Sequence, residues 1–230
     1  MHQEDEIFRD GYRHISYRGE KFSSEEMLER SRQFYKWLNK RRSVRDFSNE
    51  PVPREVIENI LKSASTAPSG AHKQPWTFCA VSNIALKKKI KAAAEEEEKE
   101  NYNNRMSSRW KEELKALGTN EHKPFLETAP WLIVVFKKVF ELEENGQKSN
   151  NYYVNESVGI ACGMLISAIH HAGLVTLTHT PSPMNFLTEV LQRPANERAF
   201  LLLPVGYQKE LAYVPDIKRR SLEEVSCFYE

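Results

Sequence analysis

The sequence predicts a single α+β domain over its 230 residues. Four apolar runs have the composition of strands, and they lie at residues 76–82, 131–136, 174–181 and 199–205. Helical patterns of unequal length separate these runs, without the regular strand–helix–strand alternation that a parallel sheet requires. Because 40% of the residues are hydrophobic, the chain is large enough for one sizeable core.

Local signals mark the start of two helices. Ser23 and Glu26 have the spacing of a capping box, and Pro53 suits the first turn of a helix. The first helix leads to a group of three arginines, and the second has apolar residues with a 3.6-residue period. Residues 1–22, which show no clear periodicity, are expected to form an arm that packs on another element or on a partner subunit.

The most hydrophobic helix is predicted at residues 155–173. Gly159, Gly163 and Ser167 recur every four residues, which makes one side of this helix flat. Two interpretations remain open, since a flat side suits either a dimer axis or close packing inside one subunit. A polar loop is expected before it, at residues 141–151, and a short helix after it, at 184–191.

Overall charge and cysteine content exclude several classes of function. The chain has 33 Lys and Arg against 32 Asp and Glu, so no overall field attracts nucleic acid or an anionic membrane. Cys79, Cys162 and Cys227 lack metal-ligand spacing and predict free thiols in a reducing compartment. Neither a signal peptide nor an apolar run of about 20 residues is evident, so we expect a soluble, cytoplasmic protein.

Three arginines within five positions form the most conspicuous local feature. Arg41 and Arg45 are four residues apart and Arg42 and Arg45 are three apart, so each pair would share a face of a helix. Three guanidinium groups from one turn make a site for a phosphate. The alternative is a solvated basic end of a helix, which complements the helix dipole.

Two further segments are candidates for ligand contact. Residues 66–76 are bracketed by prolines and centred on Ser69-Gly70-Ala71, so they predict a loop with accessible amides, or else a plain surface turn. Residues 84–118 are helical and highly charged, which is typical of a solvated helix. Glu98 and Tyr102 nevertheless share a face, and such an excursion between two strands could equally serve as a lid.

Several common catalytic motifs are missing from the sequence. It contains no G-x-G-x-x-G, no phosphate loop of the G-x-x-x-x-G-K-[ST] type, no H-E-x-x-H and no G-x-S-x-G. We therefore expect no metal and no nucleophile of its own. The candidate groups suit a phosphorylated, ring-bearing cofactor.

Five stretches together resemble one known family over roughly residues 24–230. They are Arg41-Arg42-Ser43-Val44-Arg45, residues 66–72 (Thr-Ala-Pro-Ser-Gly-Ala-His), the glutamate-rich segment ending in Asn101-Tyr102, residues 202–207 and residues 214–219. The chain resembles the flavin nitroreductase superfamily and, within it, the iodotyrosine deiodinases, which remove halogen from halotyrosine. The arginine motif indicates the superfamily, whereas the lid indicates the deiodinases.

The resemblance implies a nitroreductase-like fold with a central mixed sheet flanked by helices. It also implies a homodimer in which extended arms, residues 1–22 and 208–230, are exchanged, and a lid formed by residues 94–123. Each flavin then lies at the subunit interface. Animal members carry an N-terminal membrane anchor that is not seen in this sequence, and they tend to have threonine where this chain has His179.

The resemblance also assigns roles to individual residues. It implies FMN as cofactor, held by Arg41, Arg42, Ser43, Val44, Arg45, Ser69, Thr178, His179, Thr180 and Arg219. Thr180 is the expected catalytic residue, whose hydroxyl bonds flavin N5. For the substrate it implies that Ala71 offers its backbone N–H to the phenolate, while Glu98, Tyr102 and Lys123 bind the amino-acid end.

The activity implied is FMN-dependent reductive dehalogenation of 3-halotyrosines by one-electron steps through a flavin semiquinone. The reductant would be NADPH or another NAD(P)H-linked donor, acting directly or through a separate reductase. Two alternatives remain open: a nitroreductase or quinone reductase of the same superfamily, and a flavin- or tyrosine-binding protein without catalysis. The charge complement of Glu98 and Lys123 to a zwitterion favours the dehalogenase.

Overall fold

The computed structural model describes residues 6–230. Two compact units are distinguished, Met1–Lys40 and Arg41–Glu230. The first contains an antiparallel hairpin of β1 (Glu6–Arg9) and β2 (Tyr12–Ile15), followed by helix α1 (Ser24–Asn39). The hairpin lies within the predicted arm, whose residues 1–5 are outside the described residues.

The predicted capping box at the start of α1 is confirmed. The backbone N–H of Glu26 donates to Ser23 Oγ at 3.2 Å, and the backbone N–H of Ser23 donates to Glu26 Oε2 at 3.1 Å. The two bonds satisfy donors that have no partner inside the helix, which is why α1 begins at this position.

The second unit is built on a four-stranded sheet with the order β3-β4-β8-β7. Its strands are β3 (Trp76–Val81), β4 (Trp131–Lys138), β7 (Val175–Thr176) and β8 (Glu197–Gly206). We expected a mixed sheet, but these strands pair antiparallel throughout. Within residues 6–230 the parallel pairing found is an isolated bridge between Ser43 and Thr176. Strands β4 and β7 both run antiparallel to β8, so the connection between them, which contains α6, crosses from one end of the sheet to the other.

Helices cover both faces of this sheet. On one face lie α2 (Arg54–Ser65) and α6 (Val154–His171), and on the other lie α3 (Ile84–Glu100), α5 (Phe125–Thr128) and α7 (Asn185–Val190). The run from Leu132 to Phe136 is fully buried, with alternate residues contributing to the two core clusters. This confirms the prediction of a strand buried on both faces, since helices shield each side.

Three local expectations were wrong. The polar stretch after β4 is a hairpin of β5 (Phe140–Leu142) and β6 (Lys148–Asn150). The strand expected at 174–181 is confined to Val175–Thr176 and a bridge from His179 to Leu202. The arginines 41–45 lie beyond the end of α1 in an extended segment, because the backbone N–H of Val44 donates to the Thr176 carbonyl at 3.2 Å.

The remaining elements are short. They comprise a 3-10 turn (Gly70–His72), a π-helical turn (Asn101–Arg105), α4 (Ser108–Lys115) and α8 (Leu222–Val225). No helix within residues 6–230 combines the length and the apolar character needed to cross a bilayer.

Candidate active site

One cavity of about 460 Å³ collects most of the predicted site residues in the second unit. Its walls come from the arginine segment, the end of α3 with the turn after it, α4, the stretch 177–180 and the C-terminal segment 215–219. The predicted residues that line it are Arg41, Arg42, Ser43, Arg45, Glu98, Tyr102, Lys123, Thr178, His179, Thr180 and Arg219.

The arginines meet through tertiary contacts and not through a helix face. Arg42 Nη2 donates to the Pro215 carbonyl, and Arg219 Nη2 donates to the Arg41 carbonyl at 2.8 Å. The C-terminal segment therefore brings a fourth guanidinium to the extended triplet. Burial lowers the pKa of Arg41, and the positive charges of Arg219 and Arg42 lower it further.

Three of these arginines, Arg41, Arg42 and Arg45, have no carboxylate partner among the described residues. Within residues 6–230, no carboxylate forms an ion pair with Arg41, Arg42 or Arg45. Arg45 Nε is buried and has no hydrogen-bond partner, and burial lowers the pKa of its guanidinium. Buried donors are rarely left without an acceptor, so the cluster fits an anionic or polar ligand group.

The stretch from Thr178 to Thr180 alternates in exposure. Thr178 and Thr180 are exposed and line the cavity, whereas His179 between them is buried. The backbone of His179 pairs with Leu202 of β8, with N···O distances of 2.8 and 3.1 Å. The alternation follows from the extended conformation, which directs successive side chains to opposite sides.

A buried pair of opposite charges lies in the same cavity. Lys123 Nζ is 3.5 Å from Glu98 Oε2, and it also donates to Thr119 Oγ1 at 3.2 Å and to the Asn120 carbonyl. Burial raises the pKa of Glu98, and Lys123 opposes that shift. Burial lowers the pKa of Lys123, and Glu98 opposes it. The pair can therefore present one negative and one positive group to a ligand.

The segment predicted as a lid, residues 94–123, starts within α3 and continues into the π-helical turn Asn101–Arg105. Asn101 Nδ2 donates to the Ser182 carbonyl at 2.9 Å, and Arg105 Nη1 donates to the same oxygen at 3.2 Å. Arg105 also pairs with Glu97 at 2.9 Å. We call Asn101, Arg105 and the Ser182 carbonyl the lid clasp. It joins the turn to the loop that follows Thr180, and π turns of this kind are frequent at functional sites.

Apolar side chains complete the lid side of the cavity. Tyr102 donates from its hydroxyl to the Thr119 carbonyl at 3.2 Å, which ties the π turn to the stretch before Lys123. The other residues that line this side are Met106, Trp110, Leu114 and Leu117. They provide an apolar wall opposite the polar floor, as expected for a site that accepts an aromatic ring.

Comparison with known proteins places this arrangement in a family. The nitroreductase family model matches residues 38–207. The iodotyrosine deiodinase of Haliscomenobacter hydrossis is 60% identical over 215 residues, which cover 94% of this chain and 97% of that protein. This chain belongs to the iodotyrosine deiodinases of the nitroreductase family. Human iodotyrosine deiodinase 1 is 50% identical over 213 residues, covering 92% of this chain and 74% of the human protein.

Solved structures agree with this membership. A crystal structure of oxidised iodotyrosine deiodinase bound to FMN and 3-iodo-L-tyrosine matches with a TM-score of 0.74 and 32% identity, covering 85% of this chain and all of that chain (100%). A nitroreductase-like protein from Streptococcus mutans matches with a TM-score of 0.63 and 20% identity, covering 87% and 100% of the two chains. The second likeness supports the nitroreductase fold alone.

Three residues predicted for the deiodinase site do not line the cavity of this chain. Val44 is buried in the core with 5% exposure. Ser69 and Ala71 lie in a separate loop, where the backbone N–H of Gly70 donates to Ser157 Oγ of α6 at 3.3 Å. A Cβ on Gly70 would lie 2.9 Å from the Tyr153 ring, so this loop is closely packed on the start of α6.

The same loop has an unusual backbone. Ala71, His72 and Gln74 have φ angles of 49°, 56° and 47°, in the left-handed region that non-glycine residues rarely occupy. Strain of this kind persists where a structure needs an exact backbone path, and it is common at binding sites. The Ala71 amide is thus held in a defined direction, although Ala71 does not line the cavity described above.

Sequence reasoning missed the lid clasp and Phe125, which also lines the cavity. Asn101 and Arg105 have no local signal of function, because their acceptor at Ser182 is about eighty residues away in the chain. The spacing of Asn101 and Arg105, four residues apart, was the one cue that they share a face.

Proposed function

We propose that this chain is an FMN-dependent reductive dehalogenase that converts 3-iodotyrosine and related 3-halotyrosines to tyrosine and halide. The observation that carries the proposal is the buried Glu98–Lys123 pair, 3.5 Å apart, in the cavity that also holds the arginine cluster. One cavity thereby combines a site for a phosphate with a receptor for a zwitterion. A reductase of nitroaromatics or quinones has no use for the second feature.

The arginine cluster fits the cofactor on two observations. Arg41, Arg42 and Arg45 have no carboxylate partner among the described residues, and Arg45 Nε is a buried donor without an acceptor. Arg41, Arg42 and Arg219 are the proposed phosphate ligands, since guanidinium groups bind phosphate oxygens in pairs. Arg45 and Ser43 serve the polar edge of the flavin, and Thr178 and Thr180 face its ring system.

When bound and reduced, FMN supplies two electrons which, with one proton, replace the carbon–iodine bond by carbon–hydrogen and release iodide. The protein holds the reactants for this chemistry. The Thr180 hydroxyl is the proposed hydrogen-bond donor to the flavin ring nitrogen N5. An amide N–H, that of Ala71, holds the phenolate oxygen and favours the ionised phenol.

The amino-acid end of the substrate replaces the contact between Glu98 and Lys123 by one contact with each of them. Glu98 binds the ammonium group and Lys123 binds the carboxylate, so each protein charge trades one opposite charge for another. Tyr102 adds a hydrogen bond from the same lid segment, residues 94–123. Because the lid residues bind the substrate itself, binding free energy orders the lid and excludes water from the ring.

A second copy of the chain completes this site in the proposal. Ser69 and Ala71 lie outside the cavity of their own chain, in a loop with a defined but strained path. Among residues 6–230, no atom outside the local backbone of α6 lies within 4 Å of a Cβ added at Gly159 or Gly163, so this flat side of α6 is open. That favours a homodimer axis at α6 over packing inside one subunit. The C-terminal arm leaves Phe228 and Tyr229 exposed by 75% and 95%, as an exchanged arm would.

The test is an anaerobic reaction of the purified holoenzyme. The flavin is reduced chemically, 3-iodotyrosine is added, and flavin reoxidation, tyrosine and iodide are measured together. We expect all three in equal amounts per flavin turnover. Reoxidation by nitroaromatics with none by any halotyrosine would instead assign a nitroreductase, and tight halotyrosine binding without turnover would assign a binding protein. Chemical reduction avoids any dependence on the natural NAD(P)H-linked donor.

A further inference from the structure

His179 is a buried polar group that the proposed function does not use. Thr178, His179 and Thr180 all line the cavity, but His179 is buried, with 6% exposure, whereas both threonines are exposed. Its Nε2 atom has no hydrogen-bond partner, and its Nδ1 atom lies 4.0 Å from Glu98 Oε1. A buried imidazole aimed at a carboxylate that binds substrate requires a reason.

The imidazole is neutral at physiological pH. Burial lowers the pKa of His179 to about 3, and the positive charges of Lys123 and Arg45 act in the same direction. The charged groups that face it are thus Glu98 from α3, Lys123 from the stretch before α5 and Arg45 from the arginine segment. A neutral imidazole has one N–H donor and one acceptor nitrogen. The proton belongs on Nδ1, because a lone pair there would repel the Glu98 carboxylate.

The ring is held in place on two sides. Two backbone hydrogen bonds join His179 to Leu202 of β8, and the Phe125 ring packs against the imidazole edge to face, with centroids 5.8 Å apart at 87°. Rotation of the imidazole away from Glu98 would therefore break its packing against Phe125 and cost free energy. A shift of about 1 Å in the Glu98 carboxylate would bring it within hydrogen-bond distance of Nδ1.

Substrate binding supplies the reason for that shift. In this structure the nearest cation to Glu98 is Lys123, which is also held by Thr119 Oγ1 and the Asn120 carbonyl. When Lys123 turns to the carboxylate of the substrate, the buried Glu98 carboxylate exchanges this protein donor for the ammonium group of the ligand. Burial raises the pKa of Glu98, so a second donor from the protein favours the ionised carboxylate that the ammonium group requires, and it also fixes the direction of that carboxylate.

We propose that His179 is a positioning residue that donates from Nδ1 to Glu98 in the substrate complex, keeping this carboxylate ionised and oriented toward the substrate ammonium. The inference rests on the proposed function and deepens it. It makes His179 a determinant of specificity for halophenols that carry an amino-acid group over halophenols that do not.

The experiment compares His179→Leu, His179→Asn and His179→Gln in the FMN-loaded protein. Quenching of flavin fluorescence gives the Kd of 3-iodo-L-tyrosine and of 2-iodophenol, which has the same ring without the charged groups. We expect His179→Leu to weaken 3-iodotyrosine about 10-fold more than it weakens 2-iodophenol, as for a lost hydrogen bond to a charged group. His179→Asn should recover most of that difference, because its amide nitrogen occupies the position of Nδ1. His179→Gln, whose donor lies one bond further out, should not.

A purely structural role predicts a different pattern. If His179→Leu weakens both ligands equally, or if His179→Asn is no better than His179→Gln, the inference is overturned. Should the leucine variant lose its flavin, the comparison of the asparagine and glutamine variants decides alone. The third probe, 3-(4-hydroxy-3-iodophenyl)propanoate, lacks only the ammonium group, and its Kd should show the smaller loss seen with 2-iodophenol.

A measurement without substrate separates this inference from the proposed function. Nitrogen-15 NMR of histidine-labelled protein reports the protonation state and tautomer of His179. We expect a neutral ring with hydrogen on Nδ1 from pH 6 to pH 8, and a charged ring or hydrogen on Nε2 would contradict the inference. If the wild-type protein fails to bind 3-iodotyrosine, the proposed function fails whatever the NMR spectrum shows.

Discussion

Lys123 Nζ lies 3.5 Å from Glu98 Oε2, and only 3% and 10% of the two side chains are exposed. Burying two charges is costly, and they compensate each other only in part. A ligand with one charge of each sign can replace this internal pair by two external ones without leaving either protein charge bare. The pair therefore provides one group of each charge for binding a zwitterion, in the cavity that the arginines also line.

Removing one member of the pair should separate the two kinds of substrate. Glu98→Gln keeps the shape of the side chain but leaves Lys123 without its buried partner. We expect kcat/KM for 3-iodotyrosine to fall about 100-fold, since truncating one partner of a buried charge pair costs roughly 3 kcal/mol or more. The loss with 2-iodophenol should be much smaller.

The matched control for this change lies on the same lid. Glu113 pairs with Arg109 at 3.0 Å with both side chains largely exposed, so Glu113→Gln changes charge by the same amount at a solvated position. Steady-state kinetics on both variants decide the point. Equal effects of the two substitutions would mean that the buried pair does not recognise the substrate.

Substrate affinity should depend on pH in a bell shape. Because burial raises the pKa of Glu98, its carboxylate takes up a proton at a higher pH than usual, and ammonium binding is lost as pH falls through that value. Because burial lowers the pKa of Lys123, carboxylate binding is lost as pH rises through it. The pH range of tight binding is thus narrower than the range between the ordinary pKa values of a glutamate, 4.5, and a lysine, 10.5.

Titration with two ligands separates the ionisations of the zwitterion site from that of the phenol. The Kd of 3-iodotyrosine contains the ionisations of Glu98, Lys123, the phenol and the amino group of the ligand, whereas that of 2-iodophenol contains the ionisation of the phenol without the zwitterion. The ratio of the two affinities should therefore rise and fall with pH. A ratio that is flat from pH 5 to pH 9 would count against the assignment of Glu98 and Lys123.

Loss of the lid clasp should loosen the lid. Asn101→Ala removes the 2.9 Å hydrogen bond to the Ser182 carbonyl, a contact of a buried side chain. Loss of this hydrogen bond costs about 1–2 kcal/mol, which should raise the fraction of molecules with an open lid roughly 10-fold. Limited trypsin digestion, which can cut after Arg109 and Lys111, measures this opening as a cleavage rate.

Asn104→Ala is the control for the clasp. Asn104 lies in the same turn, but its amide donates to Glu100 at 2.8 Å on the exposed side. Its cleavage rate should match that of the wild type within about a factor of two, since surface contacts contribute little. If both variants are cut equally fast, the clasp does not restrain the lid.

Thr180 should be needed for its hydroxyl. We expect Thr180→Ala to lower the rate of deiodination by the reduced enzyme about 10-fold or more, since it removes a hydrogen bond to the cofactor. Thr180→Ser retains the hydroxyl and should recover most of the rate. Single-turnover reoxidation of reduced flavin by 3-iodotyrosine measures both, and flavin content shows whether FMN is still held. A serine variant as slow as the alanine variant would exclude the hydroxyl as the reason.

Far from the cavity, Glu197 should stabilise the sheet. Burial alone would raise the pKa of Glu197, but hydrogen bonds from Arg193 and Thr77 outweigh it and hold that pKa below its ordinary value. Its oxygens accept from Arg193 Nε at 2.7 Å, Arg193 Nη2 at 3.0 Å and Thr77 Oγ1 at 2.7 Å. We expect Glu197→Gln to lower the free energy of unfolding by about 2 kcal/mol, less than for a fully buried pair because Arg193 is partly exposed.

Urea unfolding of the holoenzyme tests this value. Glu58→Gln, which disrupts an exposed i,i+4 pair with Arg54 at 2.7 Å, should cost less than about 0.5 kcal/mol. The sign with pH follows from the lowered pKa. The stabilisation by Glu197 is complete above the ordinary pKa of 4.5 and is lost as pH falls through the lower pKa of the folded protein. The free energies of unfolding of the wild type and of Glu197→Gln should therefore converge in acid.

Elements whose cause is local could be predicted from the sequence. The capping box needs only Ser23 and Glu26, three residues apart, and it starts α1 where expected. The apolar run at 131–136 indicated a strand buried on both faces, and Leu132 to Phe136 are fully buried. Glu98 and Tyr102 were expected on one helix face, and both line the cavity.

Spacing failed where a distant hydrogen bond decided the conformation. Arg41, Arg42 and Arg45 have helical spacing, but the backbone N–H of Val44 donates to Thr176, which draws the segment into an extended path beside the sheet. The arginines still converge, because Pro215 and Arg219 arrive from the other end of the chain. The composition of the site was thus predictable, while its geometry was not.

By itself the sequence determined the helix starts, the buried strands and the kinds of side chain available for a phosphate, a ring and a zwitterion. These features depend on residues close together in the sequence and on the periodicity of apolar residues, both of which the sequence shows directly. Only the tertiary structure decided that Lys123 faces Glu98, that the Ser182 carbonyl anchors the lid and that His179 turns its Nδ1 toward Glu98. Such pairings join residues far apart in the chain, and they follow from packing of the whole sheet and its helices, which no local pattern records.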